Sequence, residues 1–397
     1  VNTLVSSAAS TTSLTVQRAR NAELRVLTLS PFYPSALDWS QGRFVSDPLE
    51  RIGEHGIANE TIAVQPFYRA RPKSAAGREW TSYFSVPGNV GLPSAGEFLA
   101  ASISRKIIKD RAGRFDLIHA HAALPCGHAA AILADRLGVP FVVTVHGLDA
   151  FFLRQSDAVF RSWCRRVARR VYQRAEVVIC ISEKVREQVL SGAQANTRVV
   201  YNGVDPQLFS PLDESDLPLK VLSVGNLIPT KGHAALLRSF AKASQAVSDS
   251  RLEIIGDGPE LRHLVRLASD LGIADKVAFR GRQTREFVAD AMRRCSVFAL
   301  PSTYEGLGCV YLEAMACGKA VIACRGQGIE ELIEDRRTGI LVSAGNDFEL
   351  GNALRELLLK PQLRREIGKA ARNFVLQRLT LDHQAKQLAD IYRGCTA

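Results

Sequence analysis

No run of this 397-residue chain approaches the ~18 consecutive apolar residues of a membrane-spanning helix. The longest apolar stretch, 139–145, is interrupted by Pro140 and Thr144 and suits a buried strand. The eight cysteines, Cys126, Cys164, Cys180, Cys295, Cys309, Cys317, Cys324 and Cys395, form no CxxC pair. They are too sparse for a secreted disulfide framework and read as reduced thiols of a cytoplasmic protein. There is no Asp-x-Asp, no HExxH and no GxxxxGK[ST]. A metal–diphosphate clamp, a zinc hydrolase and a P-loop NTPase therefore find no support. No acid precedes Glu23, and Arg18 and Arg20 follow the Ser/Thr/Ala-rich start instead of preceding it. That order is wrong for a signal peptide, so a flexible tail is expected over 1–20.

What is present is ordinary for a globular protein: 46% hydrophobic and 23% charged residues. At roughly 100–200 residues per domain, the length predicts two domains. Charge is uneven. Residues 1–210 carry 25 Lys+Arg against 17 Asp+Glu, and the remainder 26 against 23. A basic first half points to an anionic partner, whether nucleic acid, a membrane surface or a phosphorylated substrate. Nucleic acid is not expected, because the basic half has no recognisable reader fold and little aromatic interleaving.

From residue 24 the chain alternates β-branched runs (24–30, 117–121, 141–145, 177–181, 198–201) with helical patterns such as 127–137 and 159–174. Residues 206–218 hold three prolines and an acidic run and read as a linker. The alternation then restarts, with strands at 220–224, 251–255, 277–279, 297–300 and 320–323. Helices are expected between them at 233–246, 260–271, 285–294 and 308–316. This predicts two doubly wound parallel sheets, with chemistry just beyond the carboxyl ends of their strands. The boundaries expected are 1–211, 212–376 and a final segment 377–397.

The segment Pro301-Ser302-Thr303-Tyr304-Glu305-Gly306-Leu307-Gly308 leads from a strand into a helix that carries Glu313. Glycines there expose backbone N–H groups at a helix N-terminus, a ready site for phosphate. Eight residues of helix span about 12 Å, enough for Glu305 and Glu313 to touch two parts of one extended ligand. Asn226 to Gly232 offers Lys231 at a second strand-to-helix step, and Gly256-Asp257-Gly258 marks a third. His119 and His121 share one face of a strand, and His146 sits at a strand end. The helix over 161–174 shows arginines 161, 165, 166, 169, 170 and 174 opposite a stripe of Phe160, Trp163, Val167 and Val171. Such a helix lies against anionic membranes or faces water as a crossover helix.

Together these motifs resemble the retaining GT-B glycosyltransferases of family 4, over about residues 24–392. The most specific piece is Glu305-x7-Glu313, supported by Lys231-Gly232, Gly256-Asp257-Gly258-Pro259, Phe279-Arg280-Gly281, His146-Gly147 and Gly203-Val204-Asp205. The resemblance implies an α/β fold of two Rossmann-like doubly wound domains facing across a cleft. It implies that Glu305 contacts donor-sugar hydroxyls and that Gly306, Leu307 and Gly308 flank sugar and phosphate. Glu313 would hold the ribose, Lys231 would neutralise the leaving diphosphate, and Arg280 would meet the base through its backbone. His146 would line the reacting centre, Gly256 and Gly258 the donor side, and Gly42 an acceptor-side loop. The family's usual arginine is Asn226 here, which suggests that Arg282 or Arg325 supplies the second phosphate contact. The final helix is expected to cross back onto the first domain.

The function that follows is metal-independent, retaining transfer of a sugar from a nucleotide-diphosphate sugar, UDP- or GDP-linked, to a hydroxyl acceptor. No resident cofactor is called for. The expected setting is surface polysaccharide or glycolipid assembly, with a glycan or lipid-linked acceptor at the inner face of the membrane. The competing readings are a nucleotide-sugar epimerase and a non-catalytic nucleotide-sugar-binding protein.

Overall fold

The computed structural model describes residues 23–34, 42–68, 80–84, 92–111, 114–147, 158–212 and 219–397. The tail over 1–20 and the acidic run of the linker lie outside the described residues. The elements in chain order begin with β1 Leu24–Ser30, α1 Arg43–Arg51, β2 Ile57–Pro66, β3 Trp80–Tyr83, α2 Leu92–Arg111 and β4 Leu117–His121. There follow α3 His128–Leu137, β5 Phe141–Val145, α4 Ala158–Arg174, β6 Val177–Cys180, α5 Glu183–Leu190 and β7 Thr197–Val199. The second half comprises β8 Lys220–Val224, α6 His233–Ala246, β9 Arg251–Ile255, α7 Leu261–Asp270, β10 Val277–Phe279 and α8 Arg285–Arg294. It closes with β11 Val297–Ala299, α9 Cys309–Ala316, β12 Ala320–Cys324, β13 Ile340–Val342, α10 Asp347–Leu359, α11 Pro361–Arg378 and α12 Leu381–Thr396.

The strands form two parallel sheets, β3-β2-β1-β4-β5-β6-β7 and β10-β9-β8-β11-β12-β13, the two Rossmann-like domains anticipated from the sequence. Central strands such as β5 and β12 are buried at every residue, as a parallel sheet covered on both faces requires. In each sheet the strand order reverses once, between β1 and β4 and between β8 and β11. These are the points where the loops diverge and leave a crevice.

Helix ends follow local chemistry. Thr284 Oγ1 accepts from Phe287 N–H at 3.2 Å at the start of α8, with Glu286 in the first turn and Arg293 and Arg294 in the last. This arrangement complements the helix dipole. In α6, Leu236, Leu237, Phe240 and Ala243 recur at helical spacing and are buried against Val221, Leu252 and Val297. The buried stripe of α4 is Cys164, Ala168, Val171 and Tyr172, with Trp163 left 38% exposed. Of the stripe expected from the sequence, Phe160, Trp163, Val167 and Val171, only Val171 is fully buried.

The last helix, α12, leaves the second domain and packs on the first. Ala385, Leu388, Ala389 and Tyr392 bury against Val26, Leu117 and Val142 of the first sheet and Ile52 of the turn after α1. A parallel bridge between Val204 and Thr380 marks where the chain crosses back.

Candidate active site

Lys231 ends the short 3-10 turn Pro229–Lys231 that follows β8. Glu305 lies in the loop after β11, so the two occupy the reversal point of the second sheet. Lys231 Nζ forms an ion pair with Glu305 Oε2, with side-chain exposures of only 19% and 14%. The two loops are joined by Thr303 N–H donating to Thr230 O at 2.8 Å. Glu305 N–H donates to Gln327 Oε1 at 2.9 Å, and Gly328 N–H returns a bond to Glu305 O at 3.2 Å.

Gly306 lies against the first domain. A Cβ there would lie 2.7 Å from the backbone oxygen of His146. Ser182 Oγ both donates to Gly306 O at 2.7 Å and caps α5 by accepting from Val185 N–H at 3.2 Å. Leu307 is buried, and Gly308 is the N-cap of α9. Gly256 has a separate reason to be glycine: a Cβ would sit 1.9 Å from Gly225 O. Together with Gly258 it lets the loop after β9 lie against the loop after β8, where Leu227 N–H donates to Asp257 O at 2.9 Å.

Glu313 stands on α9 at the wall of a cavity of ≈ 230 Å³ between the domains. Arg43, Phe44 and Asp47 of the first domain line it, with Gln283, Arg285 and Val310 of the second. Burial pushes the Glu313 carboxyl up to about 7, against the pull of Arg285 and with the help of Asp47. Arg285 pairs with Asp47 at 2.7 Å across the cleft and lies 5.6 Å over the Phe209 ring. Cys309 shares this wall, but burial raises its thiol to about 12, so it is no nucleophile at neutral pH.

His146 follows β5 and packs edge-on to Phe44 and Phe32, with ring centroids 4.8 and 5.4 Å away. Its Nε2 is 3.0 Å from His121 Nδ1, and the His121 ring in turn lies 4.3 Å from that of His119, tilted by 40°. His119 reaches Thr144 Oγ1 at 2.7 Å and the Tyr392 hydroxyl at 2.6 Å. Burial lowers His119 and His146 to about 3 and His121 well below its usual range, so all three rings are neutral.

The other candidate residues are held by contacts of their own. Arg280 gives its guanidinium to Glu253 at 2.8 Å, its N–H to Ile254 O and its carbonyl to Gln283 Nε2 at 2.6 Å. Asn226 is exposed at the end of β8. Arg325 is held by Asp335 at 2.7 Å and Glu349 at 3.0 Å, which takes its charge away from Lys231. Gly42 caps α1 against Phe32 and Tyr33; its neighbours 39–41 lie outside the described residues. The reading of the sequence missed Asp47, Arg285 and Gln327; it named His121 for sharing a strand face with His119, not as the neighbour of His146.

The profile of Glycosyltransferase Family 4 fits residues 55–208, and that of Glycosyl transferases group 1 fits residues 206–374. The chain is 30% identical over 275 residues to an uncharacterized glycosyltransferase of Methanocaldococcus jannaschii, covering 69% of this chain and 74% of that one. It is 33% identical over 251 residues to the GDP-mannose-dependent alpha-(1-6)-phosphatidylinositol monomannoside mannosyltransferase of Mycolicibacterium smegmatis, covering 58% and 65%. The fold matches that of Anabaena HepE, crystallised with UDP-glucose, with a TM-score of 0.72 at 21% identity over 94% of this chain and 100% of that one. Fold, motif order and sequence likeness agree, and the chain belongs to the group 1, family 4 glycosyltransferases of GT-B architecture.

Proposed function

We propose that this protein moves a sugar, with retention of configuration, from a nucleotide-diphosphate sugar to a hydroxyl of a glycan or lipid-linked acceptor. The observation that carries the reading is the Lys231–Glu305 pair at the strand-order reversal, close in sequence to the N-terminus of α9 and next to Gly306, which packs on the His146 carbonyl. A diphosphate entering there competes for the Lys231 ammonium and releases the Glu305 carboxylate to accept from sugar hydroxyls. As the glycosidic bond breaks, negative charge grows on the phosphate, where a fixed cation and helix-end N–H groups stabilise it. The leaving phosphate oxygen takes the acceptor's proton on the same face. Domain closure orients the partners and keeps water out. Glu313, across the cavity from Phe44, suits a ribose.

The neighbour solved with UDP-glucose and the GDP-mannose-dependent relative support a nucleotide-sugar donor, UDP- or GDP-linked. The relative acting on a phosphatidylinositol mannoside, with the exposed arginines of α4, supports a membrane-borne acceptor and a role in glycolipid or surface-polysaccharide assembly. No described helix is long and apolar enough to cross a membrane, so contact would be peripheral.

The test is calorimetric titration with UDP, GDP and ADP in EDTA, on wild type and Glu313→Ala. Binding of one nucleotide, weakened by the substitution, supports the donor site and its independence of metal. Failure of all three to bind rejects it. Product formed without acceptor would favour an epimerase.

A further inference from the structure

Gln327 belongs to none of the motifs that identify the family, yet its side chain is 93% buried between the two domains; only 7% is exposed. Its Oε1 accepts two hydrogen bonds. One, at 2.9 Å, comes from the backbone N–H of Glu305, and the other, at 2.8 Å, comes from Nζ of Lys184. Lys184 belongs to the first domain, in the first turn of α5, and its ammonium also donates to Gly326 O. Both lone pairs of the amide oxygen are thereby used, one by each domain.

The surroundings make this junction a firm one. The N–H groups of Glu183 and Lys184 donate to the Glu331 carboxylate at 2.7 and 2.8 Å, and Tyr201 donates to the same group at 3.1 Å. A carboxylate at the start of a helix is favourably placed against the helix dipole. Ser182 fastens Gly306 next to it. Burial lowers the Lys184 amine, and Glu305 leads the carboxylates that hold it up, so its charge is felt at the donor loop.

The loop from Pro301 to Gly308 has neither helix nor strand bonds of its own. Its backbone is fixed at Thr303 by Thr230, at Glu305 by Gln327 and Gly328 and at Gly306 by Ser182. The direction in which the Glu305 carboxylate points toward Lys231 thus rests on an acceptor that is itself tied to the other domain. We infer that Gln327 is a positioning residue, and that the Lys184–Gln327–Glu305 relay makes the alignment of Glu305 conditional on docking of the first domain. The inference rests on the reading of Glu305 as the donor-sugar residue.

Residue-resolved hydrogen exchange at the Glu305 amide, without any nucleotide sugar, tests the relay directly. Lys184→Met, a change in the other domain, is expected to speed that exchange roughly 10-fold, the scale of a lost bond to a charged group. Gln327→Leu should do the same, and the double variant should be no worse than either single one. Gln327→Glu keeps two acceptor oxygens and should restore slow exchange. In turnover, Lys184→Met and Gln327→Leu should lower kcat more than they raise the donor KM, while Gln327→Glu stays near wild type. Unchanged exchange in Lys184→Met, or additive effects in the double variant, overturns the relay. If exchange responds but wild type turns over no nucleotide sugar, the relay stands and the transferase reading falls.

Discussion

The hydroxyl of Tyr392, in the last helix, lies 2.6 Å from Nδ1 of His119, at the centre of the first sheet. The other ring nitrogen, Nε2, reaches Thr144 Oγ1 at 2.7 Å, so both nitrogens of the buried ring are hydrogen-bonded. Tyr392→Phe keeps the packing and leaves a buried ring nitrogen unsatisfied. The expected loss is about 1–3 kcal/mol, read by urea unfolding. A loss within error would mean that the bond contributes nothing beyond packing.

Acid should weaken the first domain. Burial holds His119 and His146 near 3 in the folded protein, whereas an unfolded histidine takes up its proton from about 6.5 downward. The unfolded chain therefore binds more protons throughout that window. Stability is full above it and falls as pH drops, by about 1.4 kcal/mol per pH unit for each such histidine. Unfolding free energies between pH 7 and 5 should show this slope, flattened in His121→Phe, which removes another ring held low by burial.

Glu313 has the opposite sign. Its carboxyl is raised to about 7, so the folded protein holds this proton longer than the unfolded chain does. If ribose hydroxyls donate to the carboxylate, nucleotide affinity should rise between pH 6 and 8, and binding at pH 6.5 should release a proton. Asp47→Asn removes a charge that helps keep the proton on and should move the transition to lower pH. Glu313→Gln should abolish it. Calorimetry in buffers of different ionisation enthalpy measures both.

Lys231→Ala and Glu305→Gln should each cut kcat about 10²–10³-fold, the scale of one lost transition-state contact. Arg325→Ala should leave kcat near wild type, since that guanidinium is held by Asp335 and Glu349. A loss as heavy as that of Lys231→Ala would restore Arg325 to the phosphate site.

Co-sedimentation with anionic vesicles should fall when Arg165, Arg166, Arg169 and Arg170 become Ser, and should weaken as salt is raised. Binding that is absent or unchanged removes the membrane contact.

Much of the second domain was legible in the sequence. Residues 233–246, 251–255, 277–279 and 285–294 are the elements the alternation predicts, because each apolar run is bounded by polar or glycine punctuation. β2 and β3 were not. β2 opens Ile57-Ala58-Asn59-Glu60 with its first half only partly buried, so no clean apolar run marks it. β13, Ile340–Val342, was not predicted either. α1 carries Pro48 in its middle. At the site, the motifs gave Lys231 and Glu305 separately, but their contact closes over 74 residues of chain. Asp47, Arg285 and Gln327 carry no local pattern at all. They matter only because two domains bring them together, and single-chain spacing does not encode that.

The return of α12 to the first sheet also dictates an order of events during synthesis. The face formed by Val26, Ile52, Leu117 and Val142 is covered by Ala385, Leu388, Ala389 and Tyr392. Until residues 381–396 have left the ribosome, that apolar face has nothing to cover it, although its strands were made some three hundred residues earlier. Of the two domains, the one translated earlier is thus the later to be completed, and a nascent chain must wait with an adhesive surface exposed while the second domain folds ahead of it.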